Sequence, residues 1–483
     1  MNMWTNGLPR LELLSEEQVE SIHETAMRAL EETGLDILYE PTLELVRRAG
    51  LKVEGNRVLF DRGFVTEAVS KAPASFNVRG RNPDMSFTIG GEHLVTCPTG
   101  GAPFIADLDG GRRPGSVKDY IDLVKLTHSS PQIHCIDSGI VETMELPVET
   151  RSLDMDYLVI RYTDKPYMSS GASERSAADC LEMAAILFGG RDEIEETPSV
   201  IAVVNPASPL VWDDRMLGSI HQFAAANQPI LVTPFLMAGT TAPVTMAGGL
   251  AQWVAETLAG VAIIQTIRPG CPSVFGGYLT GTDMTLGQPT LGSPEWSMGI
   301  LAGAQLARRY GLPFRGGGGW SSSKIVDAQA GYEAVMGLWP VLLGGVNFVL
   351  HAAGALESTM IVSPEKMVMD FEILRILEWI LDPGLPVDDD TLALNTIAEV
   401  GPGGMYLAAS HTLSHFRDAV YRPELSSLED LSRWQESGSK DTAVRAHEIY
   451  KQTLESYEDP GLDPAVDEAL QGFIAKRKEE LGA

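Results

Sequence analysis

The sequence predicts an α/β protein: a (β/α)8, or TIM, barrel with an N-terminal α+β flank and a helical C-terminal extension. Three observations carry this. Between residues 93 and 381, a short apolar run, a loop rich in Gly, Ser, Pro or Thr, and an amphipathic helix recur eight times. Strands that alternate with helices pair in parallel, and eight such units are the number that closes a barrel. The rival, an open doubly wound sheet, would carry a GxGxxG turn after its first strand, and none is present. The expected divisions are residues 1–92 for the flank, 93–381 for the barrel and 382–483 for the extension.

The flank opens with an amphipathic helix over residues 15–34. Ser15 can cap it, and Gln18, three residues on, completes a capping box. Glu16 and Glu17 fall in the first turn, where the helix dipole favours acids. A second helix covers residues 41–49, alternating apolar residues around Glu54-Gly55-Asn56 read as a hairpin, and a third helix covers residues 62–71. The barrel helices are expected over residues 117–129, 149–163, 174–188, 213–226, 245–267, 294–310, 325–343 and 364–380. Ser322 or Ser323 suits the cap of the seventh. Beyond residue 382 the chain reads as helical and charged, interrupted by Pro402, Pro423 and Pro460, and suited to covering the barrel or building an oligomer contact.

The net charge of −29 opposes binding to nucleic acid or anionic membranes, so neither is expected as a partner. No basic n-region precedes an apolar core, so no secretory signal is expected, and the apolar runs are broken by Gly, Pro and Asn. The four cysteines, Cys97, Cys135, Cys180 and Cys271, lie far apart without CxxC or HxC spacing. That pattern disfavours a local zinc or iron–sulfur site and suits reduced thiols in the cytoplasm.

A barrel of this kind places its site at the C-terminal ends of the strands. Those ends read CPTGG (97–101), DSG (137–139), SSGAS (169–173), NPAS (205–208), PFLMAGTT (234–241), FGGYLTGTD (275–283), RGGGGWSSSK (315–324) and HAAGALE (351–357). They are poor in acids and bases and rich in Gly, Ser and Thr, with Phe104, Phe235, Phe275, Tyr278, Phe314 and Trp320 in or beside them. A metal hydrolase needs several His and Asp here, so no metal site is expected. A Schiff-base lysine belongs on a strand, whereas Lys324 sits at a helix start. A glycine-lined mouth with aromatic walls suits a large planar ligand lying against backbone, or a non-titrating cation held by aromatic faces. Each of these aromatics also has an ordinary packing role open to it.

Three long stretches then carry a resemblance: ETGLDILYEPTLELVRRAGLKVEG (32–55), TLGSPEWSMGILAGAQLARRYGLPFRGGGGWSSSKIVDAQAGYEA (290–334) and GGVNFVLHAAGALESTMIVSPEKMVMDFEI (344–373). In these the sequence resembles the trimethylamine methyltransferase superfamily, in its non-pyrrolysine, glycine betaine:corrinoid methyltransferase-like branch. The resemblance implies a TIM barrel that moves a methyl group from a methylated amine to Co(I) of a corrinoid (cobalamin) carried on a separate protein. Archaeal trimethylamine enzymes carry pyrrolysine in the barrel, and this chain has only standard residues. A quaternary amine, which leaves as a neutral tertiary amine, is therefore the expected substrate, with glycine betaine first and proline betaine, carnitine, γ-butyrobetaine and choline open. Given the resemblance, Trp320, Tyr278 and Phe104 are candidates for an ammonium cage, and Arg315 for the betaine carboxylate. His351, Asn205 and Gln329 are candidate hydrogen-bonding catalytic residues. Gly276, Gly277 and Gly316, Gly317, Gly318, Gly319 would let the corrin ring approach. No DxHxxG corrinoid-binding pattern is present, so the cofactor must arrive on its cognate partner. A homo-oligomer is expected, and a non-catalytic betaine-binding paralogue is the alternative reading.

Overall fold

The computed structural model describes residues 3–482. Eight short strands pair in parallel: β1 (His93–Thr96), β2 (Ile136–Asp137), β3 (Tyr167–Met168), β4 (Val200–Val204), β5 (Ile230–Val232), β6 (Ser273–Gly276), β7 (Phe314–Arg315) and β8 (Phe348–Val349). Their spatial order is β2-β3-β4-β5-β6-β7-β8-β1, so the sheet follows the chain and β8 lies beside β1. Its two ends are joined by backbone hydrogen bonds, Cys135 N–H to the Thr96 carbonyl (3.1 Å) and Gly101 N–H to the Gly139 carbonyl (2.7 Å). The fold is α/β with a curled parallel sheet.

Eight helices follow the strands: α1 (Val117–Ser129), α2 (Arg151–Tyr162), α3 (Glu174–Phe188), α4 (Asp214–Ala225), α5 (Met246–Ile267), α6 (Pro294–Arg309), α7 (Ala328–Gly344) and α8 (Pro364–Leu381). Local chemistry sets their starts. Ser116 caps α1 in a reciprocal box with Asp119, and Asp213, Ser293 and Ser363 cap α4, α6 and α8. The start expected for α7 is corrected. Asp327, not Ser322 or Ser323, caps it by accepting from Ala330 N–H, and the serines remain in the loop before it.

The sheet interior is filled by side chains that alternate inward along the strands, among them Val95, Cys97, Cys135, Ile201, Leu231 and Val274. Val78, Phe87 and Ile89 of the preceding hairpin join the same cluster, closing the end of the interior opposite the loops. The N-terminal region also explains helix α5. This helix is long and apolar enough by composition to cross a membrane, yet it is mostly buried. The helices Glu16–Arg28 and Arg62–Val69 lie against it, so an apolar surface on every side finds cover on every side. The Ser15–Gln18 capping box is present at the start of the first of these. At the other end of the chain, helix α9 (Thr442–Glu455) packs on α8 and α1, and α10 (Pro464–Leu481) packs on α3 and α2.

Candidate active site

The C-terminal ends of the eight strands surround a cavity of about 480 Å³, within the roughly 300–1,000 Å³ of small-molecule sites. Every strand end contributes. Gly100 and Gly101 follow β1, Asp137 ends β2, Ser169 to Gly171 follow β3, and Asn205 follows β4. Thr233 and Phe235 follow β5, Tyr278 follows β6, Arg315 ends β7 with Trp320 just beyond, and His351 follows β8.

One wall is aromatic. The Trp320 ring lies 4.7 Å from that of Tyr278, 5.3 Å from Trp296 and 5.8 Å from Phe235, the last nearly parallel at 24°. Tyr278 already has Trp296 stacked on it at 5.0 Å and the Arg315 guanidinium 4.1 Å over its ring. Its hydroxyl donates to the carbonyls of Gly317 (3.1 Å) or Leu350 (3.2 Å). Trp320, ringed by Tyr278, Trp296, Phe235 and His351, and the half-buried Phe235 are the other aromatic side chains that line the cavity.

Arg315 is the electrostatic anomaly. It is 2% exposed, forms no ion pair, and its Nε finds no hydrogen-bond partner among the described residues. Burial pulls its pKa below the usual guanidinium range, opposed by Tyr278, Cys97 and Asp137. Buried guanidinium groups are normally paired, so an unpaired one facing a cavity marks a place for an anion. Asp137 is pushed the other way, to about 6. Burial is the main cause, countered by the Gly139 N–H and then aggravated by Glu142.

His351 is held neutral. Burial and the Arg315 charge push its pKa well below the usual range. Its Nδ1 accepts from Gly100 N–H at 3.3 Å and lies 3.1 Å from Thr99 Oγ1, which assigns the proton to Nε2. Its backbone sits at φ 62°, a left-handed conformation that β8 and the loop impose by hydrogen bonding at both ends. The His351 carbonyl accepts from Gly319 N–H at 2.9 Å, and its N–H donates to the Pro98 carbonyl. Strain of this kind concentrates at functional sites. The ring stands edge-on to Trp320 at 4.5 Å. The Asn205 side-chain oxygen accepts from the Thr233 hydroxyl, which leaves its amide facing the cavity.

Thus Trp320, Tyr278, Arg315, His351 and Asn205 meet around one space, whereas the other sequence candidates do not line it. Phe104 belongs to a side strand (Phe104–Asp107) and lies under the Arg112 guanidinium at 3.7 Å. Gln329, in the first turn of α7, donates to Glu333, whose other oxygen receives Ser321 and Ser322. The six glycines face packed protein. A Cβ at Gly276 would meet Thr233, and one at Gly277 would meet Trp253. One at Gly316 would strike Phe314, one at Gly317 Val341, and those at Gly318 and Gly319 backbone carbonyls. Their small size lets loops and helices close on one another, and the glycines at the cavity are Gly100, Gly101 and Gly171.

Two features escaped the sequence reading. Phe235 was visible as an aromatic near a strand end, but nothing local separates it from Phe104. Lys366 and Asp370 form a fully buried ion pair on α8. Lys366 Nζ donates to the Gly319 carbonyl (2.8 Å), and Asp370 accepts from Gly354 N–H (2.8 Å). The pair ties together the loops that carry Trp320 and His351. Among the described residues, the grouping with metal-ligand spacing is Asp390, His411 and His415, on an exposed segment outside the cavity.

A sequence profile described as Trimethylamine methyltransferase (MTTB) matches residues 1–482. The chain belongs to the trimethylamine methyltransferase family. The chain is 43% identical over 475 residues to Glycine betaine methyltransferase of Desulfitobacterium hafniense (strain Y51), covering 98% of this chain and 99% of that one. Identity falls to 28% over 486 residues with Trimethylamine methyltransferase MttB of Methanosarcina barkeri, covering 98% and 96%. It is 26% over 469 residues with L-carnitine:corrinoid methyltransferase of Eubacterium limosum, covering 92% and 93%. The structure of Methanosarcina barkeri Monomethylamine Methyltransferase (MtmB) superposes with a TM-score of 0.51 at 11% identity, over 94% of this chain and 89% of that one. That likeness concerns the fold alone.

Proposed function

We propose that this protein transfers a methyl group from a carboxylated quaternary amine, glycine betaine first, to Co(I) of a corrinoid held by a separate protein. The observation that carries the carboxylate is Arg315, buried and unpaired beside an aromatic wall. A zwitterion satisfies both features at once: its carboxylate pairs with the guanidinium while its trimethylammonium group lies against Trp320 and Phe235. The extended match to a glycine betaine enzyme supports the same substrate class. In this reading residues 93–381 form a closed (β/α)8 barrel, 1–92 its flank and 382–483 its extension.

The methyl acceptor is a second substrate, delivered at the mouth past Gly100, Gly101 and Gly171. The C–N bond breaks with its electron pair left on nitrogen, cobalt supplies the pair for the new bond, and dimethylglycine departs with a neutral amine. No proton is needed at nitrogen. That fits a cavity whose histidine is neutral, and it leaves the chain the tasks of orienting the amine and excluding water. His351 Nε2 and the Asn205 amide are the groups placed to fix its orientation.

The test is the visible spectrum of Co(I)-cobalamin mixed with enzyme and glycine betaine, proline betaine, carnitine, choline or trimethylamine. Methyl-Co(III) forming with a betaine is expected. Methylation by trimethylamine but by no betaine would overturn the proposal. Betaine binding by calorimetry with no methylation, on Co(I)-cobalamin or on a corrinoid protein, would move the protein to the non-catalytic class.

A further inference from the structure

Residues 385–420 leave the body of the protein and expose what other segments bury. Leu385 is 88% exposed, Met405 76% and Leu407 75%, with Leu394, Leu413 and Phe416 also open to solvent. Among the described residues, every hydrogen bond and ion pair of this segment runs within it, for example His411 and His415 to Asp390. Its base is fixed just beyond, where Tyr421 donates to Glu372 (2.9 Å) and Arg375 pairs with Glu424 (2.6 Å). The segment is an arm, anchored at the base and uncovered along its length.

A second uncovered surface lies on helices α7 and α8. Tyr332 is 58% exposed and Trp339 42%, and Val335, Met336 and Ile376 extend the patch beside an apolar groove of about 520 Å³. Across Ala328–Gly344 the one charged residue is Glu333, and it is buried. An outer helix facing water should carry charge in a chain that is 21% charged. Between residues 391 and 416 the arm has the same deficit, with Glu399 as its one Asp, Glu, Lys or Arg. Soluble monomers rarely leave apolar patches of this extent open.

We infer that the arm of one copy packs on the α7–α8 face of a second copy, and that the exchange is reciprocal. The apolar stretches of both surfaces, 391–416 of the arm and α7 on the face, are poor in charge and belong to one chain, so a second copy supplies both halves. A two-fold arrangement repeats the contact, so each arm–face contact need bury only about 800 Å², counted over both sides, to reach the roughly 1,600 Å² of a stable interface. The face lies on the flank of the sheet. Pairing there leaves the cavity mouth at the strand ends free for the corrinoid protein, which makes that protein the poorer occupant.

The net charge sets the sign of the salt response. Two chains at −29 each repel, and an apolar contact holds them, so association should tighten with salt. Sedimentation of the full chain at micromolar concentration should give an even multiple of 52.2 kDa that persists in 1 M salt. Met405→Asp with Leu407→Asp in the arm, or Tyr332→Asp with Val335→Asp on the face, should each weaken association about 100-fold. The circular dichroism should be unchanged. Mixing the two variants should restore one arm–face contact and give a heterodimer. A monomeric parent, an arm variant that still dimerises, or a mixture that stays monomeric would each overturn the assignment. Leu407→Gln is the substitute should the aspartates unfold the chain.

Discussion

Replacing Arg315 by Met should move affinity in opposite directions for two ligands. Glycine betaine loses a charge-assisted contact worth about 1.5–3 kcal/mol, or roughly 10- to 150-fold in Kd. Tetramethylammonium carries no carboxylate and meets the guanidinium as a like charge. At a separation of about 6 Å and an effective dielectric constant of about 20, that repulsion is roughly 3 kcal/mol. Partial screening should still leave a gain of about tenfold when the charge is removed. The fold should not suffer. Arg315 is buried with no ion pair, so the variant sheds a buried charge and loses its contact over Tyr278, worth about 1–2 kcal/mol, together with the weaker attraction of Asp137. Calorimetry with both ligands, beside a melting curve, reads all three effects. Equal losses for betaine and tetramethylammonium would refute the carboxylate role. A fall in stability of several kcal/mol would show instead that Arg315 is a structural cation.

Further outcomes are expected at four positions. Phe235→Ala should weaken all quaternary amines by about 1–2 kcal/mol, raising KM more than it lowers kcat, as steady-state kinetics would show. Asp137 titrates near pH 6, so affinity for the ammonium group should fall as pH drops through 6 and stay flat in Asp137→Asn. Because folding raises this carboxyl, the parent should gain stability over Asp137→Asn as pH falls from about 6 to about 4, measured by urea unfolding. Lys366→Met should cost about 3–5 kcal/mol in the same assay, since it strands Asp370 in a buried site. Gly317→Ala should lower the melting temperature, because φ is +75° and the new Cβ would sit 2.3 Å from a Val341 methyl.

The sequence reading captured what depends on period and local chemistry. Helices α1 and α3 fall on their expected residues, because their apolar faces and serine caps are local signals. The strand ends were equally legible, and every one of them reaches the cavity. What did not show was where the chain turns between elements. Phe104 and Phe235 both follow strands, but residues 104–107 divert into a side sheet with Ile361–Val362, while Phe235 stays at the rim. The glycine run at 316–319 invited a ligand-facing reading, and its purpose emerges only when Val341, Phe314 and Asp370 are seen pressing on it. Lys366 and Asp370, four residues apart, look like an ordinary surface helix pair in the sequence. Their burial is a consequence of two loops folding over α8.

The arrangement of charges also bears on how such a site can accelerate the transfer. Methyl transfer discharges the ammonium, so aromatic contacts that favour a cation act more on the substrate than on the transition state. By themselves they raise occupancy without lowering the barrier. The guanidinium works in the opposite sense. In the proposed pose it sits on the same substrate as a fixed positive charge and would raise the energy of the ammonium. That repulsion fades as the nitrogen becomes neutral, while the contact with the carboxylate persists. Arg315 can therefore bind the substrate and favour loss of its charge together, a combination open to a betaine and closed to an amine without a carboxylate. A neutral His351 fits this scheme, since a second cation there would repel the substrate before any bond had stretched.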